Sequence, residues 1–123
     1  MDTAANKAVI RHILENLRPG NLAILEGHPG YWQTRQVFPA TFAAFPDFRM
    51  TVEHQIAEGD EVATFAVCRG THLGEFLGIP PTGKEISFQS MSLDRVVDGK
   101  VVRHNGEAGW YGVFLSLGAL PLK

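Results

Sequence analysis

Proton-transfer chemistry in this chain would fall to Glu107, His104 and His54, with Gln89 and Ser87 able to hydrogen-bond a substrate oxygen. A carboxylate or an imidazole beside a carbonyl can remove a proton from the neighbouring carbon. His54 alternates with Met50, Val52 and Ile56, so on a regular strand it shares their apolar face. Glu107 and His104 sit three residues apart on another strand-like run. They have opposite parity, so a regular strand turns only one of them toward an interior. Asn105 goes with Glu107 and with Gly109. Gln89, Ser87 and Met91 share one face of a further strand, and Phe88, Ser90 and Ser92 share the other. One of those two sets must line any cavity.

Other chemistries find less support. The five histidines show no metal-ligand spacing and have no cysteine partners, so no metal is expected. Cys68 is the single cysteine; it reads as a small apolar residue of a strand, and no internal disulfide can form. No Gly-x-Ser-x-Gly turn and no phosphate-binding Gly-x-x-x-x-Gly-Lys order are present. His72, in a glycine-rich stretch, could rim a pocket mouth; His12 and His28 are weaker candidates. Trp32, Phe65 and Trp110 are the aromatic candidates for ligand contact, with Met50 beside them, although most aromatic surface in a chain of this size belongs to the core.

These residues need elements to position them. Ala5, Ala8, Val9, Ile13, Leu14 and Leu17 recur at helical spacing, which predicts a helix over 4–17 with Thr3 as N-cap and Arg18-Pro19-Gly20 as its stop. Residues 21–26 can form one short helical turn. A second helix is predicted over 31–44, burying Tyr31, Val37, Phe38, Thr41, Phe42 and Phe45, with a kink or late start at Pro39. After Pro46-Asp47 the period changes from about 3.6 to 2. Strands follow from Phe48, over 61–69, over 85–97 and over 100–108, joined by hairpin signals at Glu58-Gly59-Asp60 and Asp98-Gly99. The apolar stretch from Trp110 to Leu117 closes the pattern. Helices followed by a meander of long antiparallel strands predict an α+β fold.

The chain has 123 residues, 45% hydrophobic and 20% charged, which predicts one domain over 1–123. A net charge of -2 with scattered basic residues gives no field for nucleic acid or an anionic membrane. Met1 to Lys7 lacks a signal-peptide pattern and no apolar run reaches membrane-spanning length, so a cytoplasmic protein is expected.

The most distinctive segment runs from Gly70-Thr71-His72 through Pro80-Pro81-Thr82-Gly83-Lys84, with four glycines and two prolines. With Ala44-Phe45-Pro46-Asp47-Phe48, with Val52 to Ala63, with Asp98-Gly99-Lys100-Val101-Val102 and with Gly112 to Gly118, it resembles the SnoaL-like polyketide cyclases of the nuclear-transport-factor-two-like superfamily. The resemblance covers nearly the whole chain. It implies a cone-shaped, strongly curved antiparallel sheet wrapped around N-terminal helices, an apolar pocket for a small hydrophobic substrate, and a homodimer. It implies cofactor-free acid/base chemistry on a carbonyl compound, such as aldol cyclisation, isomerisation or hydration/dehydration, with a desolvated carboxylate as base.

The chain departs from that pattern where the base should be. The family aspartate falls at Gly109, the aromatic four residues earlier at Asn105, and a family arginine at Phe65. Glu107 is the expected substitute base, with His54 and Gln89 as polar helpers. The alternative is a non-catalytic binding relative that kept the cone and lost the acid.

Overall fold

The computed structural model of the chain describes residues 2–118. Helix α1 spans Thr3–Asn16 and helix α2 spans Trp32–Ala44, with short 3₁₀ turns at Leu22–Leu25 and Pro29–Tyr31 between them. Four strands follow: β1 Arg49–Glu58, β2 Glu61–Thr71, β3 Glu85–Val97 and β4 Lys100–Ala108. A last helix, α3, spans Trp110–Ser116. The strands form one antiparallel sheet in the order β1-β2-β3-β4, so the α+β layout is the expected one.

Local chemistry explains the boundaries. Asp2, not Thr3, caps α1: its carboxylate accepts from the Ala5 amide at 2.9 Å. The apolar stripe of α1 buries Ile10, Ile13 and Leu14 against β1 and β2. Helix α2 runs through Pro39, and Tyr31 belongs to the 3₁₀ turn before it. At the β3–β4 turn Asp98 and Gly99 both take positive φ, 52° and 74°, as a two-residue hairpin of matching twist requires.

Two bulges shape the sheet, one on each edge strand. In β1 the register slips between Val52 and His54, leaving Glu53 unpaired. In β4 it slips so that Val96 faces Val101 while Arg95 faces Arg103, leaving Val102 unpaired. A bulge bends its strand and raises the local twist. Each is held by side chains from the N-terminal third. The Val52 amide donates to Glu15 Oε2 at 3.0 Å, and Arg11 Nη1 donates to the Val52 carbonyl at 3.4 Å. The Val101 amide donates to His28 Nδ1 at 3.0 Å. Burial, and then the charge of Lys100, hold His28 below the usual imidazole range, in keeping with its acceptor role.

The glycine-rich connection is a clamp. Asp47 accepts from the Thr71 amide at 2.6 Å and from the Thr71 hydroxyl at 2.7 Å. The His72 amide donates to the Lys84 carbonyl and the Gly83 amide to the His72 carbonyl, at 2.9 and 2.8 Å, closing the loop at its base. The amides of Leu73 and Gly74 both donate to the carbonyl of Ala44, the last residue of α2. Lys84 Nζ donates to the Ser116 carbonyl at the end of α3, at 2.9 Å. Phe76 is buried from the loop against Phe45, Trp110 and Phe114. His72 lies fully buried inside the loop beside Thr82, away from any pocket mouth.

Candidate functional site

Helix α2 packs on the 3₁₀ turns and reaches the sheet through rings, Phe38 and Phe42 lying 5.6 and 5.8 Å from Phe48. The space left between α2 and the strands is an open cavity of about 850 Å³. Its apolar walls are Leu14 from α1 and Leu17 just after it, Val37 and Phe38 from α2, Met50 from β1, Phe88 from β3 and Trp110 from α3. Val37, expected in the core, is 59% exposed because it faces this opening. Cys68 also borders the cavity, but burial pushes its thiol up to about 12, so it stays protonated and is no nucleophile.

The polar side of the cavity is the β3–β4 ladder. Three cross-strand pairs face inward in succession: Asp94 with His104, Ser92 with Gly106, and Ser90 with Ala108. His104 Nδ1 lies 2.5 Å from Asp94 Oδ1. The Asp94 side chain is fully buried, whereas that of His104 keeps 20% of its surface exposed. Ser92 donates its hydroxyl to the other Asp94 oxygen at 3.1 Å. A carboxylate accepts, so Nδ1 carries the proton and donates it, and Nε2 is left as the free ring nitrogen. The Tyr31 ring packs 4.8 Å from the His104 ring at 45°. Its hydroxyl is buried and finds no hydrogen-bond partner among the described residues. Burial, and then the Asp94 charge, push the phenol far above its usual range, so Tyr31 is neutral.

A buried carboxylate, an oriented imidazole with one free nitrogen, and small hydroxyl neighbours on the floor of an apolar cavity form an acid/base arrangement. In such an arrangement a carboxylate orients the imidazole through Nδ1 and leaves Nε2 as the nitrogen able to exchange a proton. Among the described residues no group of three or more His, Cys, Asp or Glu is placed to hold a metal.

The sequence candidates divide clearly. His104, Trp110 and Met50 line the cavity from inside. Glu107 and Asn105 also line the cavity, but from the other face of β4, where they pair with Met91 and Leu93, which line it too. The reason is the bulge at Val102. Counting on from buried Val101 by twos reaches Asn105 and Glu107, but the extra residue moves the inward positions to 104, 106 and 108. The bulge at Glu53 does the same in β1. His54 turns outward and exposed, while Gln55 turns inward, donating to the Lys7 carbonyl at 3.0 Å and to Thr64 Oγ1 at 3.2 Å. Gln89 and Phe65 also belong to the outer face, since Phe88 and Ala66 take the inner one. Trp32 is 60% exposed at the start of α2 and does not line the cavity. At Gly109, where the resemblance puts the family aspartate, an added Cβ would meet only ordinary contacts at 3.7 Å.

Asp94 and Tyr31 are absent from the sequence candidates for the site, and Ser92 appears there only as a member of one of the two alternative cavity-lining sets on the third strand. The one signal for Asp94 was a carboxylate in an otherwise inward-facing register on β3. On an unbulged hairpin closed by Asp98-Gly99, however, its partner would be Arg103 rather than His104.

Comparison with known proteins agrees with this architecture. A family model described as SnoaL-like polyketide cyclase matches residues 3–112. Nogalonic acid methyl ester cyclase of Streptomyces nogalater is 34% identical over 77 residues, covering 62% of this chain and 58% of that protein. Aklanonic acid methyl ester cyclase DnrD of Streptomyces peucetius is 37% identical over 49 residues, 40% of this chain and 34% of that one. The matches thus span less than two thirds of these relatives' own length. The crystal structure of AclR, a candidate hydroxylase from Streptomyces galilaeus, superposes with a TM-score of 0.89 at 28% identity, covering 99% of this chain and 86% of AclR. TsrD from Streptomyces laurentii gives 0.83 at 24% identity, covering 98% and 99%, which speaks to the fold alone.

Proposed function

The chain belongs to the SnoaL-like polyketide cyclase family, and from that premise we propose that it closes a ring by intramolecular aldol condensation on a hydrophobic, carbonyl-bearing polyketide. The observation that carries this reading is the Asp94–His104 pair on the floor of the apolar cavity. His104 Nε2 takes the proton from the carbon next to a carbonyl. Asp94 stabilises the resulting imidazolium, and the Ser90 hydroxyl on the cavity floor is the donor available to the enolate oxygen. The carbanion attacks a second carbonyl of the same folded molecule, a carbon–carbon bond forms, and the new alkoxide recovers the proton from Nε2. Holding both ends of the chain in one cavity supplies the proximity such a closure needs. No step calls for a cofactor. In this role His104 takes the place expected of Glu107.

The protein acts in this reading as a cytoplasmic homodimer. The outer sheet face supports a self-contact, since Ile56, Met91 and Leu93 surround Phe65 there and are 63%, 58% and 45% exposed.

The test uses the substrates that the cyclase relatives' names supply, nogalonic and aklanonic acid methyl esters. His104→Gln should lower turnover by about 10²- to 10⁴-fold. Asp94→Asn should lower it by a comparable factor and remove the downfield Nδ1 proton from the NMR spectrum. Full turnover by the His104→Gln variant overturns the assignment. Gly109 favours one other reading, a binding protein without turnover; tight binding of either ester with no product would establish it. Product mass separates the remaining chemistry. Aldol closure leaves the mass unchanged, dehydration removes water, and a hydroxylation of the kind AclR's description names would add one oxygen.

A further inference from the structure

Gly106 follows His104 on the inward face of β4, opposite Ser92. A Cβ at this position would lie 2.9 Å from His104 Nε2, closer than side-chain carbons come to a neighbour, and 3.2 Å from Cε1, a tight contact. The next nearest atom, the Met91 carbonyl oxygen, would be 3.8 Å away, an ordinary contact. The crowding is therefore specific to the imidazole. That ring has little freedom to yield. Its Nδ1 is tied to Asp94 at 2.5 Å, and its face rests on buried Tyr31.

We infer that Gly106 is a positioning residue for the acid/base pair: its missing side chain lets the His104 ring lie along β4, bonded to Asp94, with Nε2 open to the cavity. A glycine inside a strand weakens it and often marks a close approach of another group. Here that group is the ring of the strand's own chain, and the space over Gly106 is where the reacting carbon of a substrate meets Nε2. Any residue with a Cβ would fill that space or push the ring away from Asp94. The inference rests on the proposed function only for its catalytic consequence. Its geometric content stands independently.

The experiment is a double-mutant cycle between positions 104 and 106, read by stability, NMR and turnover. In the wild-type background Gly106→Ala should lower the urea midpoint and shift or broaden the downfield Nδ1 proton of His104. In the His104→Ala background the same change should leave the midpoint unchanged or raise it, because alanine suits a strand better than glycine and no other atom is crowded. On the ester substrates Gly106→Ala should lower kcat by about 100-fold with little change in KM, the size expected for a displaced catalytic group. Equal midpoint shifts in both backgrounds, or an unmoved Nδ1 resonance, overturn the inference whether or not the protein turns over an ester. If the cycle shows coupling but neither ester reacts in any variant, the positioning role holds and the proposed reaction fails.

Discussion

In the loop from Gly70 to Lys84 the distinctive residues serve the backbone, whereas across β3 and β4 they serve an open space. Thr71 bonds the Asp47 carboxylate, while His72, Gly74 and Lys84 donate to backbone carbonyls, and together they tie α2, the segment before β1 and α3 into one body. Asp94, His104, Ser92 and Gly106 instead leave one ring nitrogen facing a cavity. The loop is the part that marks the family, and it holds no proton-transfer group at the cavity. The difference is physical. A shaped loop needs particular residues at adjacent positions, so it leaves a contiguous imprint. A side-chain pair such as Asp94–His104 needs only two residues to meet, and pairing across strands brings them from ten residues apart.

The comparison breaks most readily at Gly74. A Cβ there would fall 2.3 Å from the Ala43 carbonyl oxygen, with backbone on both sides of the contact. Gly74→Ala should cost about 3 kcal/mol in urea unfolding. A midpoint equal to that of the wild type would mean that the loop does not clamp α2.

A smaller effect is expected at the loop's other anchor. Burial alone would raise the Asp47 pKa, but the hydroxyl and amide of Thr71, aided by its own amide and by Arg49, outweigh it and hold the carboxyl below its usual 3.8. The folded state therefore favours the ionised form. The stability this contributes is present above pH 3.8 and disappears as pH falls through the lower folded value. Urea midpoints from about pH 5 down to about pH 2 should fall less steeply for Asp47→Asn than for the wild type. Identical slopes would remove Asp47 from the account of the clamp.

The smallest effect sharpens the other side of the comparison. Tyr31 carries a buried hydroxyl with no partner among the described residues. Tyr31→Phe should be neutral or stabilising by up to about 1 kcal/mol, since it deletes an unmet hydrogen bond while keeping the ring under His104. A loss above about 2 kcal/mol would reveal a hydroxyl partner, with Asp94 the nearest charge acting on it.

Most of the fold was readable along the chain. The helical stripe through Val9, Ile13, Leu14 and Leu17, the change of period after Pro46-Asp47 and the Asp98-Gly99 hairpin each depend on residues close in sequence. The site was readable only in part. Met50, His104, Asn105, Glu107 and Trp110 were among the candidates and all border the cavity, but the faces of Glu107 and His54 were placed by parity, and parity fails at a bulge. Nothing in Val52-Glu53-His54 or Val101-Val102-Arg103 announces an extra residue by type. The bulges depend on partners far away, Arg11 and Glu15 at the first and His28 at the second.

The amino-acid sequence alone determined the family and the α+β order of elements, because helix periodicity, turn chemistry and the shaped loop are local and act through neighbours. Tertiary structure decided which face of each edge strand looks inward. One unpaired residue, Val102, exchanged Arg103, Asn105 and Glu107 for His104, Gly106 and Ala108 on the inward face of β4. A side-chain alternation of two residues makes a single insertion sufficient to reverse a strand, and only the contacts of the folded chain determine where that insertion sits.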